Sequence, residues 1–200
     1  TNASRTMLSD ISRAEWDSEL LDLFNIPRCM LPDIVGSSHI FAHTDKALLG
    51  EAIPIAGIAG DQQSALLGQS CLEQGMVKAT YGTGCFVLMH TGNEPVPSNH
   101  SLLTTPVCKV DTASGYALEG SVFMGGAVIQ WIRDGLGLID NVSEIEKLAG
   151  QEADSRGVYL VPVFVGLGAP HWDPHATGMI IGMSRSTNGA HIARAALDCI

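Results

Sequence analysis

The sequence predicts an α/β fold built on a mixed sheet. Three observations predict it: short apolar runs such as Val158 to Val165 broken by Gly and Pro, a strand-rich stretch from Met76 to Phe123, and helices alternating with strands after it. At 200 residues and 46% hydrophobic, the chain can bury a core of its own without disulfide staples.

Residues 13–25 (RAEWDSELLDLFN) set Trp16, Leu20, Leu21, Leu23 and Phe24 on one broad face, which predicts an amphipathic helix closed by Pro27. The following IPRCMLPDIVGSS reads as loop. The apolar run 53–60 (IPIAGIAG) reads as a buried strand, and DQQSALLGQSCLEQG as a helix from Asp61 to Gly75. MVKATYGTGCFVLMHTG, SLLTTPVCKV and GYALEGSVF then read as three strands of an antiparallel meander. GGAVIQWIRDGLGLI predicts a helix with Ile129, Ile132, Leu136 and Ile139 inward, and SEIEKLAGQ a shorter one capped by Ser143. VYLVPVF, a second buried strand, leads through the loop GLGAPHWDPHATG to a strand MIIGM. A last helix carries Ile192, Ala195, Ala196 and Cys199 at helical spacing. The change of texture at Cys71 to Gly75 is the expected domain boundary, dividing 1–72 from 73–200. The chain has no initiating Met and runs into Ile200 without a helix stop, so it reads as an internal segment of a longer polypeptide.

The balance of charge excludes some partners. A net charge of −10 and a pI near 4.9 leave no basic footprint for nucleic acid. No apolar stretch approaches the roughly 20 residues of a membrane span, and the first residues show no secretory signal. Five widely spaced Cys without a CxxC pair point to free thiols in a reducing compartment, hence to the cytoplasm. A nucleotide remains compatible with an acidic protein, because backbone N–H groups and a bound Mg²⁺ can meet phosphates without many cations.

Four places could carry chemistry. Asp61 follows an apolar strand at the first turn of a helix, where a carboxylate can serve as general base or simply as an N-cap. Gly82-Thr83-Gly84 joins two strands; such a turn can bring amides to phosphate oxygens or can be an ordinary hairpin. Gly125-Gly126 opens the helix carrying Gln130 and Trp131, offering either an anion-binding helix start or close packing on the preceding strand. Pro174 keeps His171 and His175 off a common helical face, so a loop-anchoring role is expected there rather than zinc. The chain contains neither GxxxxGK[ST] nor GxGxxG.

Taken in order, GIAGDQQSALLGQ, ATYGTGCFVLMHTG, YALEGSVFMGGAVIQWIRD and VPVFVGLGAPHWDPHATG resemble the FGGY carbohydrate kinases, and within them the members that phosphorylate glycerol. The tail adds to the resemblance. Gly178 to Met183, seven residues, His191-Ile192, two residues, and Ala195 to Asp198 fit the family's second sequence pattern. The resemblance implies a ribonuclease-H-like fold of the actin, hexokinase and Hsp70 type, here incomplete and spanning the junction of two domains, with the active site in the cleft between them. It implies ATP with Mg²⁺, and glycerol as the small-molecule substrate. Asp61 is implied as the base, Gln62 as a polyol ligand, and Phe86 as the ring against glycerol's carbon edge. Gly82, Thr83 and Gly84 are implied to face the phosphates, and Gly126 and Gln130 to line the nucleotide. Homo-oligomerisation of the full-length enzyme is left open. Some bacterial members bind fructose 1,6-bisphosphate through an Arg that falls here at Ala52, so that regulation is not expected. The family's first phosphate loop, the rest of its glycerol pocket and its later adenosine loop have no counterpart, so the chain alone is expected to be inactive. Another FGGY kinase acting on a pentulose or erythritol, or a non-catalytic module, are the alternatives. The GDQQ and GTGCF wording favours glycerol.

Overall fold

A computed structural model describes residues 1–110 and 114–200. The chain divides into two compact units, Thr1–Lys78 with Val87–Glu119, and Ala79–Phe86 with Gly120–Ile200.

The first unit opens with two short paired strands, β1 (Ser9–Asp10) and β2 (Glu15–Trp16), followed by helix α1 (Ser18–Leu23). The predicted helix over 13–25 is therefore a single short segment. Asp17 caps it by accepting from the amides of Glu19 and Leu20, and a capping residue cannot also lie inside the helix. Trp16 sits outside, donating from Nε1 to the Pro32 carbonyl, and only Leu21 of the proposed face is buried. A two-stranded antiparallel ribbon follows, β3 (Ser38–His43) with β4 (Pro54–Gly57), joined through α2 (Lys46–Leu49) and the left-handed Gly50. The expectation that IPIAG is a buried strand is not met: every residue of β4 is exposed, because the ribbon has only two strands to cover it.

Helix α3 (Asp61–Gly68) starts after Gly60 and ends seven residues before the predicted stop at Gly75. Ser70, two residues past its end, has φ of 56°, which an α-helix cannot continue through. Strands β5 (Val77–Tyr81), β6 (Cys85–Gly92), β7 (Leu103–Pro106) and β8 (Tyr116–Val122) form one sheet in the order β5-β6-β8-β7. The predicted meander is corrected twice: its first segment is two strands, and β7 lies at the edge, paired antiparallel with β8. Along β8, Ala117, Glu119 and Ser121 are buried in strict alternation, the period-two signature of a strand with one face inward.

In the second unit the core is helical. Helix α4 (Ala127–Asp134) buries Val128, Ile129 and Ile132 against α5 (Ile145–Ala149), β9 (Tyr159–Val161) and α6 (Gly189–Cys199). Leu136 lies beyond the helix end and is exposed, contrary to its predicted inward position; Ile139, also beyond it, is buried. Asn141, rather than the predicted Ser143, caps the 3-10 turn Val142–Glu144 that runs into α5, in a reciprocal capping box with Glu144. Strand β9 pairs antiparallel with β10 (Met179–Ile181), and it buries only Leu160, with Tyr159 and Val161 turned outward. Asn188 caps α6 in a second capping box, with His191.

Candidate active site

The predicted site residues fall into two groups, one in each unit. In the first unit Asp61 is the first helical residue of α3, while Gly60 occupies the cap position with extended backbone. The carboxylate is exposed and, one residue past the cap position, makes no capping bond. It accepts a hydrogen bond on Oδ2 from Gln62 Nε2 at 2.9 Å. Gln62 is buried, and its Oε1 accepts from Lys78 Nζ. Next to Gln62, Gln63 donates from Nε2 to Thr105 Oγ1 at 2.8 Å and so pins α3 to β7.

Lys78 is 4% exposed and Glu119 2%. Burial pushes the Lys78 ammonium below the usual lysine range, and the charges of Glu119 and then Asp61 oppose that shift. Glu119 in turn pairs with the Arg5 guanidinium. The arrangement is a chain of alternating charge, Arg5, Glu119, Lys78, then the Gln62 amide, then Asp61. A buried ion pair needs such additional partners to be tolerable. Sequence reasoning missed Arg5, Lys78 and Glu119. For Lys78 and Glu119 the signal was faint, a charge at an inward-facing strand position in MVKATY and again in YALEGSV; Arg5, in the 3-10 turn Ala3–Thr6, had none of this kind.

In the second unit the structure brings together Gly82, Thr83, Gly84 and Gly126. The amide of Gly126 donates to the Gly82 carbonyl at 2.7 Å, and those of Gly125 and Ala127 donate to the Thr83 carbonyl at 2.8 and 3.2 Å. The strand turn is thus bonded to the start of α4. The contact is backbone on backbone: a Cβ at Gly126 would lie 2.9 Å from the Gly82 oxygen, and one at Gly84 would lie 2.6 Å from the Val122 oxygen. No side chain larger than hydrogen fits at either position. Gly82 and Thr83 remain exposed, and the positive end of the α4 dipole lies at this turn. Phe86, half-buried on β6, and Gln130, exposed on α4 one turn after Gly126, are not members of the bonded set. Trp131 packs on Phe164 with the rings tilted by 46° and their centroids 4.7 Å apart.

A cavity of about 320 Å³ in the first unit contains none of these residues; Asp10, Ile11, Lys109 and Tyr116 are among those lining it. Its carboxylate is already engaged. The Arg13 guanidinium at 2.7 Å holds Asp10 below the usual carboxylate range, which suits it poorly to take a proton at neutral pH.

Models of the FGGY family of carbohydrate kinases match the chain twice, the N-terminal domain over residues 1–68 and the C-terminal domain over residues 77–200. The chain belongs to the FGGY family of carbohydrate kinases. Its fold is accordingly that of the FGGY kinases, within the sugar kinase/actin-like ATPase superfamily. It is similar to the glycerol kinase of Shewanella frigidimarina, with 61% identity over all 200 residues, and to that of Burkholderia ambifaria, with 56%. The chain spans 40% of the length of these curated relatives. Among solved structures, a Plasmodium falciparum glycerol kinase with ADP superposes over 100% of the chain and 40% of its own, at a TM-score of 0.83 and 39% identity. A ligand-bound xylulose kinase from Lactobacillus acidophilus superposes over 98% of the chain and 41% of its own, at a TM-score of 0.76. At 24% identity, that likeness concerns the fold.

Among the described residues no group of three or more His, Cys, Asp and Glu side chains gathers to hold a metal ion. None of their helices is long and apolar enough to cross a membrane.

Proposed function

We propose that the protein to which this chain belongs transfers the γ-phosphoryl group of ATP to glycerol, giving sn-glycerol 3-phosphate and ADP, in the cytoplasm. The observation that carries this reading is the exposed carboxylate of Asp61 at the head of α3, oriented through Gln62 by buried charge. Identities of 61% and 56% to glycerol kinases over all 200 residues support the choice of alcohol. Asp61 takes the proton of the attacking hydroxyl as its oxygen bonds to the γ-phosphorus and the bond to the β-phosphate oxygen breaks. Gln62 has a second amide hydrogen to offer a polyol oxygen, and the Phe86 ring covers the carbon edge. The Gly82-Thr83-Gly84 turn faces the phosphates, with Gly126 and Gln130 lining the nucleotide.

Mg²⁺ would arrive on the nucleotide, since the described residues offer no set of their own to hold it; it would supply charge compensation on the phosphates. The division at residues 72 and 73 is proposed as the junction of the family's two domains. The test is a substrate panel on the full-length enzyme, with Asp61→Asn beside wild type. Glycerol should exceed pentuloses and erythritol in kcat/KM. Asp61→Asn should lower kcat by roughly 10²- to 10⁴-fold while ATP still binds. Turnover that survives the substitution would remove Asp61 as the base.

A further inference from the structure

Gln62 lies between two charges, and each accepts only one end of its amide. An ammonium has donors and no acceptor, so Lys78 must face Oε1. An ionised carboxylate has acceptors and no donor, so Asp61 must face Nε2. An amide that could otherwise turn over by 180° is thereby fixed in one orientation. With Oδ2 of Asp61 engaged by that amide, Oδ1 is left to meet the alcohol. Lys78 is itself held: it lies buried on β5, its charge faces Glu119, and Glu119 is paired with Arg5.

We propose that Lys78, backed by Glu119, is a positioning residue for phosphoryl transfer: its ammonium orients the Gln62 amide and thereby selects which oxygen of Asp61 receives the proton. This rests on the reading of Asp61 as the base. The plain alternative is that Lys78 and Glu119 form a structural ion pair with no bearing on the reaction.

The experiment compares steady-state kinetics of the full-length enzyme carrying Lys78→Met, Lys78→Arg or Asp61→Asn. Lys78→Met keeps the length of the stem and removes every donor. It should lower kcat/KM for glycerol roughly 10- to 100-fold, as a misplaced reacting group does, and leave the KM for ATP within about twofold of wild type. Lys78→Arg, which restores donors and charge, should recover most of the loss. Should Lys78→Met leave Glu119 too poorly compensated to fold, the double variant Lys78→Met with Glu119→Gln removes both charges together and should show the same selective loss. The proposal is overturned if Lys78→Met, or the double variant with Glu119→Gln, keeps glycerol kcat/KM within about threefold of wild type. It is also overturned if glycerol and ATP parameters decline together with thermal stability and Lys78→Arg restores none of them. Collapse in Asp61→Asn with no effect of Lys78→Met defeats this proposal alone. Activity in Asp61→Asn defeats the assignment of the base, and this proposal with it.

Discussion

A buried lysine on a sheet face is costly unless something nearby wants its proton. Lys78 has Glu119, Asp61 and the Gln62 oxygen around it, yet burial still leaves its ammonium below the ordinary range. The sign of the pH dependence follows. Between the lowered value in the folded protein and the usual lysine value in the unfolded chain, the unfolded state binds more protons, so stability rises with pH across that window. Below the folded value the cost of burying the charge is present in full; above the lysine range it is gone. Urea denaturation of the full-length protein from about pH 7 to about pH 10 should show wild type gaining stability relative to Lys78→Met as pH rises. A difference that stays flat would mean the ammonium is not penalised by burial. At this scale the sequence was half legible. Asp61 announces itself because an apolar strand stops where a helix starts. The charges behind it do not: Lys78 is 16 residues from Gln62, and Arg5 is 114 from Glu119, and no local pattern encodes such pairs.

Elements carry the second group of site residues. The turn between β5 and β6 and the start of α4 touch through backbone atoms alone, so Gly126→Ala forces its new methyl to within 2.9 Å of the Gly82 oxygen. The turn must give way. In the full-length enzyme that substitution should raise the KM for ATP by about tenfold or more, with glycerol affinity much less affected, since displacements near 1 Å already cost heavily in positioned sites. Isothermal titration with a non-hydrolysable ATP analogue checks it. Both glycine pairs were visible as sequence features, and each had a bland explanation available. What could not be read was that they meet, since hydrogen bonds joining residues more than forty positions apart leave no periodicity. The errors in element ends have local causes. Ser70 turns left-handed beyond α3, and Asn141 rather than Ser143 takes the capping box. β7 went to the sheet edge because strand order depends on long-range pairing.

At the scale of the whole chain, β3 and β4 leave Ile40, Ile53, Ile55 and Ile58 exposed, between 44% and 58% each. Large apolar side chains left exposed in this number favour association unless they are covered. The 200-residue chain prepared by itself should therefore self-associate in a salt-insensitive way in sedimentation experiments, and should phosphorylate no glycerol. A monomeric, active preparation would contradict both statements. The same scale raises a puzzle of charge, for a chain at −10 is proposed to receive a polyanion. The hairpin after β5 resolves it. Its three carbonyl oxygens are all occupied inside the protein, Gly82's by Gly126, Thr83's twice over, and Gly84's by the Gly82 amide at 2.9 Å. With each of these oxygens already accepting, and Thr83's twice, the loop offers fewer free lone pairs to a guest that donates hydrogens, such as an ammonium or a guanidinium. On the proposed reading the loop disfavours cations by chemistry rather than by field, which would let an acidic protein admit phosphate without first becoming basic.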